Sequence, residues 1–259
     1  MDDRTASKER PLDRYISVLE RVAEFNDGLS ALEVERLLHL PKTTVNRLLK
    51  TLVDAELLEN GPNKARSYVL GGRLLRLLHT SPSDGWMESV AQKPLQKLAE
   101  ASGETAFLVK LSGHEIRSVS TEAPDTPVRT YVVPGRVMPP HASATAKAIL
   151  AWQPEAVLEA VMGQPMERLT TNTNVNRAAL RKELDEVRSL GYAVERGEHV
   201  AGLASIGCPV LTPQIGIIYA VGLTGPFDRI TSDAFASHVK ALQETAELLA
   251  RTIMRKPAS

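Results

Sequence analysis

The sequence predicts an α+β protein in two parts, a helical N-terminal domain over residues 1–80 and a larger domain over 81–259 where runs of strands are flanked by helices. Three observations carry this reading. Between Leu29 and Leu58 two apolar stripes of helical period are separated by a tight turn. Directly after them the turn formers Asn60-Gly61-Pro62-Asn63 sit between two short strand-like runs. Beyond Gly103 the apolar period changes to that of strands, and amphipathic helices return at 178–190 and 232–255.

The N-terminal elements come in order. Residues 1–12 are polar, with Arg4, Lys8 and Arg10 as a basic arm. Tyr15, Val18, Leu19 and Val22 predict a first helix that stops near Asn26-Asp27-Gly28. Ser30 is an N-cap type, and Glu33 three residues later completes a capping box for a second helix. Val34, Leu37, Leu38 and Leu40 lead from it into the turn His39-Leu40-Pro41, and Pro41 is tolerated where a third helix begins. That helix places Val45, Leu48, Leu49 and Leu52 at i, i+3, i+4 and i+7. Its opposite face carries Thr43, Arg47 and Lys50, flanked by Thr44 and Asn46.

Hydroxyls, an amide and cations on a short helix suit a DNA major groove, although the same spacing fits a plain helical hairpin with a solvated face. The residues just beyond this helix favour DNA. Leu57–Glu59 and Ser67–Leu70 read as strands around a loop with Lys64 and Arg66 at its tip, which completes a winged helix-turn-helix. From Lys42 to Arg76 there are seven cations against three carboxylates, a local excess of the kind phosphate binding needs. Thr43, Asn46 and Arg47 are the candidates for base or phosphate contact, and Lys42, Thr44 and Lys50 for phosphates, with Lys64 and Arg66 on the wing.

Gly71-Gly72 ends the wing and Arg73 to Leu78 begins a connecting helix. The breakers from Thr80 to Gly85 mark a domain boundary. A helix over 86–101 opens the second domain, with Pro94 implying a kink or a late start. Strands are expected at 106–111, 115–119, 128–133, 192–195, 204–211 and 217–223, and a short helix over 143–152. The helix at 178–190 turns Leu180, Leu184, Val187 and Leu190 to one side, and the last helix turns in Phe235, Val239, Leu242, Ala246, Leu249 and Ile253.

Composition narrows the function. Zero formal net charge means that any nucleic-acid binding comes from local clustering. The apolar runs are too short to span a bilayer and the charged N-terminus lacks a signal core, so a cytoplasmic location is expected and no membrane partner. The single Cys208 leaves no intrachain disulfide, and its apolar surroundings fit a small buried residue.

Taken together, the chain from about 12 to 255 resembles the IclR family of bacterial transcriptional regulators. The resemblance rests on Leu40-Pro41-Lys42-Thr43-Thr44 with Arg47-Leu48-Leu49, Tyr68-Val69-Leu70-Gly71, and Gly103-Glu104-Thr105. It continues in His141-Ala142-Ser143-Ala144-Thr145-Ala146-Lys147-Ala148, Gly191-Tyr192-Ala193-Val194, Ala204 to Val210, Thr224-Gly225-Pro226, and Arg229-Ile230-Thr231. It implies a GAF/PAS-like effector-binding domain behind the DNA-binding one, and homodimers, often paired into tetramers, on double-stranded operator DNA.

The resemblance also implies an effector pocket at Ala144, Thr145, Glu195, Ser205, Gly222 and Thr224. A helix N-terminus at Ala144 and Thr145 could hold a carboxylate, with Ser205 and Thr224 supplying hydroxyls. Glu195 could orient a donor, bind a ligand hydroxyl or face solvent, and Trp152, Met138 and Phe107 could line the pocket or belong to the core. Three departures bear on the ligand. Ser205 stands where the family usually has cysteine, Ala146 where glycine is common, and Gly222 where serine is frequent, which is expected to open space. The expected effector is a small organic or aromatic carboxylate that relieves repression of a metabolic operon. No cofactor, metal site or catalytic residue is expected. Two alternatives remain: a metal-responsive regulator using histidines such as His141 and His199, and a hydrolase using Ser205. The latter lacks the glycine two residues earlier that a nucleophile elbow needs, since Leu203 is there.

Overall fold

The computed structural model describes residues 10–25, 27–61, 67–79, 85–212 and 215–254. The chain divides into two compact units between His79 and Thr80.

In the first unit, helix α1 (Pro11–Ala23) is followed by the short strand β1 (Leu29–Ser30), then α2 (Ala31–Leu38) and α3 (Lys42–Asp54). Strands β2 (Leu58–Asn60) and β3 (Ser67–Leu70) complete a three-stranded antiparallel sheet in the order β1-β3-β2, and α4 (Gly72–His79) leaves it. The capping box forms at Ser30, whose N–H donates to the Glu33 carboxylate at 2.7 Å. His39 closes α2 in the left-handed conformation (φ 51°) and Pro41 starts α3 at φ −59°. One core holds the unit together: Val18, Val22, Val34, Val45, Leu48, Leu49, Leu52 and Leu58 are all buried. Strand β1 has no signal in the sequence; its two residues read as the approach to a cap, and only pairing with Ser67 and Tyr68 makes them a strand.

The second unit opens with α5 (Gly85–Ser102), which contains Pro94 and so excludes the late start, one of the two readings offered for that proline. Strands β4 (Thr105–Ser112) and β5 (Glu115–Glu122) form a hairpin. After them come α6 (Ala144–Leu150), α7 (Glu155–Met162), which was not expected from the sequence, and α8 (Arg177–Leu190). Strands β6 (Ala193–Arg196), β7 (Leu203–Val210) and β8 (Tyr219–Pro226) precede α9 (Phe227–Ile230) and α10 (Phe235–Met254). The sheet is antiparallel, in the order β5-β4-β8-β7-β6.

Neighbouring strand residues point to opposite faces, which divides the helices into two layers. Gly207 on β7 meets α6 backbone, while Cys208 beside it shares a groove with Gln243 and Ala246 of α10. Phe107, Val109 and Leu111 alternate along β4 into the core shared with α6, α7 and α8. Burial pushes the Cys208 thiol up to about 12, in keeping with an inert packing residue.

Two expectations are corrected. Residues 128–133 are not a strand. Their carbonyls are taken by side chains: Val128 by Arg229, Thr130 by Thr105, Val132 by Thr121 and Val133 by Ser118. A segment whose acceptors are used this way runs beside the sheet without joining its ladder, and Val128, Tyr131 and Val133 stay exposed. Leu190 is also exposed, at 55 %, because it sits at the end of α8, next to the left-handed cap at Gly191.

Candidate DNA-reading helix and effector cavity

Helix α3 separates its two faces as the spacing requires. Val45, Leu48, Leu49 and Leu52 are at most 2 % exposed, while Lys42, Thr43, Asn46, Arg47 and Lys50 are exposed and Thr44 is half-buried. Its N-terminus differs from that of α2. Ser30 and Glu33 close the first turn of α2, whereas α3 has no side-chain cap and no carboxylate in its first turn. The unpaired amides and the positive end of the helix dipole, reinforced by Lys42, form an arrangement that disfavours the free helix and favours a bound phosphate. Thr51 returns its hydroxyl to the Arg47 carbonyl (2.9 Å) and stays out of this surface. Lys64 and Arg66 lie outside the described residues, as do Arg4 and Lys8 of the N-terminal arm; β2 and β3 pair in register on either side of the wing tip.

In the second unit the register creates one polar row. Glu195 on β6 faces Ser205 on β7, and Ser205 faces Thr224 on β8. Ser205 Oγ lies 2.9 Å from Glu195 Oε1 and 3.0 Å from Thr224 Oγ1. Glu195 Oε2 accepts from the backbone N–H groups of Glu198 (2.9 Å) and His199 (3.4 Å). Glu195 is only 2 % exposed, which removes the solvent-facing reading, and its burial raises the carboxyl above the usual carboxylate range against these hydrogen bonds.

The row borders a cavity of about 80 Å³, closed on another side by Thr130, Tyr131, Arg136 and Met138. Phe107 and Met138 line it and Trp152 does not, being part of a separate groove with α10. His199 also reaches it, and its pKa is lowered by burial and then by the nearby charges of Arg136 and His141.

Ala144, Thr145 and Gly222 do not line this cavity. They belong to the packing behind it. The first turn of α6 rests on Gly207, where a Cβ would come within 2.6 Å of Thr145 N. A Cβ on Gly222 would lie 2.5 Å from both Phe107 Cζ and Thr145 Cγ2. The expectation that Gly222 opens space is therefore corrected: the volume is filled by the Phe107 ring and the Thr145 methyl. Ala146 is fully buried in the same helix.

Arg136, Thr130 and Tyr131 are cavity residues that the sequence does not reveal, because the alternation around 128–133 has the pattern of a strand. His141 donates from Nε2 to the Glu167 carbonyl at 2.8 Å and closes the loop before α6. Among the described residues, no three His, Cys, Asp or Glu side chains converge as a metal site, and no helix is long and apolar enough to cross a membrane. The Ser205 hydroxyl is bonded to a carboxylate and a threonine, not to an imidazole.

Comparison with known proteins agrees with this geometry. Residues 11–62 match the IclR helix-turn-helix domain and residues 86–251 match the C-terminal domain of bacterial IclR transcriptional regulators. The chain is 28 % identical over 248 residues to the HTH-type transcriptional repressor AllR of Klebsiella pneumoniae, covering 95 % of this chain and 90 % of that protein. An IclR transcriptional regulator from Alicyclobacillus acidocaldarius superposes with a TM-score of 0.60 at 26 % identity, over 93 % of this chain and 97 % of that one. An IclR homologue from Microbacterium hydrocarbonoxydans, complexed with 4-hydroxybenzoate, shares the fold at 24 % identity and a TM-score of 0.60, over 93 % and 98 %. With a helix-turn-helix in one unit, a polar cavity in the other and family matches across both, the chain belongs to the IclR family, which is a family of DNA-binding transcriptional regulators and not of enzymes.

Proposed function

We propose that this regulator is a cytoplasmic repressor of a metabolic operon, released from its operator by a small organic carboxylate. The observation that carries the DNA half is helix α3: four buried apolar residues fix its orientation and leave Thr43, Asn46 and Arg47 outward beside an uncapped N-terminus. In this reading Thr43, Asn46 and Arg47 reach base edges, while Lys42, Thr44 and Lys50, with Lys64 and Arg66 of the wing, hold phosphates. The repressor sense is supported by the matched AllR repressor. Glu195, Ser205 and Thr224 contact the effector, whereas Ala144, Thr145 and Gly222 shape the wall behind Phe107. The regulator acts as a homodimer or a pair of dimers, and effector binding shifts operator affinity by a coupling of about 1–3 kcal/mol.

A gel-shift titration against the region upstream of this gene and its neighbours tests the first half. Arg47→Ala should weaken specific binding by about 1–3 kcal/mol and relax the preference for the site. Lys50→Ala should weaken specific and non-specific DNA alike and flatten the salt dependence. Unchanged affinity in Arg47→Ala removes α3 from the recognition role.

A further inference from the structure

The polar groups of the cavity are not equivalent in what they can still offer a ligand. On the sheet side the hydroxyl hydrogens are already committed. Thr130 Oγ1 donates to the Thr224 carbonyl at 2.9 Å, Thr224 Oγ1 donates to the Ala204 carbonyl at 3.3 Å, and Ser205 spends its one hydrogen on Glu195 or Thr224. Glu195 receives two backbone donors, and a third when Ser205 turns to it, leaving one or two of a carboxylate's roughly four lone-pair sites unused. Apart from the His199 ring, which carries one N–H, this side therefore presents acceptors.

The segment across the cavity has the opposite character. Arg136 borders the cavity, its charge acts on His199 there, and its guanidinium has no hydrogen bond or ion pair to any described residue. Its backbone is nevertheless fixed. Arg136 N donates to Ser118 Oγ at 3.1 Å, and its carbonyl accepts from Ser118 N at 2.9 Å. A pinned, unpaired cation stands on one side, and a buried carboxylate with spare acceptor capacity on the other.

We infer that the cavity selects a bipolar effector: a small carboxylate that also bears a hydrogen-bond donor at its far end, with the carboxylate toward Arg136 and the donor toward Glu195. This assignment rests on the ligand-responsive function proposed for the domain and makes it narrower. A carboxylate without a donor would close the cavity over unsatisfied acceptors, a penalty that polar sites enforce strongly against analogues lacking the matching group. A dicarboxylate would set its second charge against Glu195. The raised pKa of Glu195 shows that burial is already disfavouring its charge, which makes an added donor there more favourable.

Calorimetric titration of the full-length protein with matched pairs tests the inference: acetate against glycolate, propionate against 3-hydroxypropionate, butyrate against 4-aminobutyrate, benzoate against 4-aminobenzoate, and succinate as the dicarboxylate. At least one donor-bearing acid should bind about ten-fold or more tighter than its donor-free partner, with succinate weaker than either. Arg136→Gln, at an exposed side chain, should weaken both members of that pair about equally. Glu195→Gln, which turns part of the acceptor into a donor, should shrink the difference within the pair. Equal binding within every pair, or full affinity in Arg136→Gln, overturns the bipolar assignment while leaving ligand-responsive regulation in place. No binding by any of these acids overturns the carboxylate reading as well.

Discussion

Adding one methyl group at Gly222 should both destabilise the effector domain and reduce its cavity. The Cβ of Gly222→Ala would sit 2.5 Å from Phe107 Cζ, 2.6 Å from Phe107 Cε1 and 2.5 Å from Thr145 Cγ2. Carbon atoms prefer a separation of about 3.5–4.0 Å, so the shortfall is about 1 Å on two sides. Thr145 cannot yield, because the start of α6 is already seated against Gly207. The Phe107 ring can yield, and the free space beside it is the cavity of about 80 Å³. Overpacking of this kind costs about 1–3 kcal/mol. For a domain of this size each kcal/mol moves Tm by about 2–4 °C, so the C-terminal transition should fall by about 4–8 °C for a mid-range cost. Thermal unfolding of the full-length variant reads the first effect, and ligand titration reads a loss of effector affinity. Phe107→Leu in the Gly222→Ala background should recover part of the Tm by making room. A Tm within about 1 °C of the parent, with unchanged affinity, would refute the packing argument and restore Gly222 as open space.

The buried charges give two further outcomes. Lys147 is fully buried, with Nζ 2.6 Å from both Glu183 and Glu198. Lys147→Met should cost about 3–5 kcal/mol, because two carboxylates lose their shared cation. Glu183 is raised by burial and held down by Lys147, so the loss should be larger at pH 8 than at pH 5 in chemical denaturation; equal losses would refute the ion-pair account. Glu195 is likewise raised above 4.5, so the folded state binds its proton more tightly than the unfolded chain and stability declines as pH rises above that value. Glu195→Gln should therefore raise Tm near pH 7, with the gap closing as pH falls toward 4.5, while effector discrimination shrinks. A constant gap across that range would show that Glu195 carries no such linkage.

How much is legible in the sequence depends on how local each feature is. The capping box at Ser30 and Glu33, the α3 stripe and the first helix lie within a few turns of chain, where period and cap chemistry are sufficient. Residues 128–133 mislead because alternating β-branched residues describe any extended backbone. Whether such a segment joins a sheet depends on distant donors, here Thr105, Ser118 and Thr121. The same ambiguity conceals Arg136, which no short-range pattern marks. Glu195, Ser205 and Thr224 are reached only through family resemblance, since the polar row exists only once β6, β7 and β8 pair in register.

The sequence by itself determined a winged helix-turn-helix with its polar face outward, an α+β second domain and the family. These come from hydrophobic period, capping and turn chemistry, which act over a few residues. Tertiary structure alone decided which residues share the cavity, that Gly222 is filled by Phe107 and Thr145, and that Arg136 borders the same cavity as the row of committed hydroxyls. Those facts depend on strand register and close packing between residues far apart in the chain, and neither is fixed until the sheet and α6 meet.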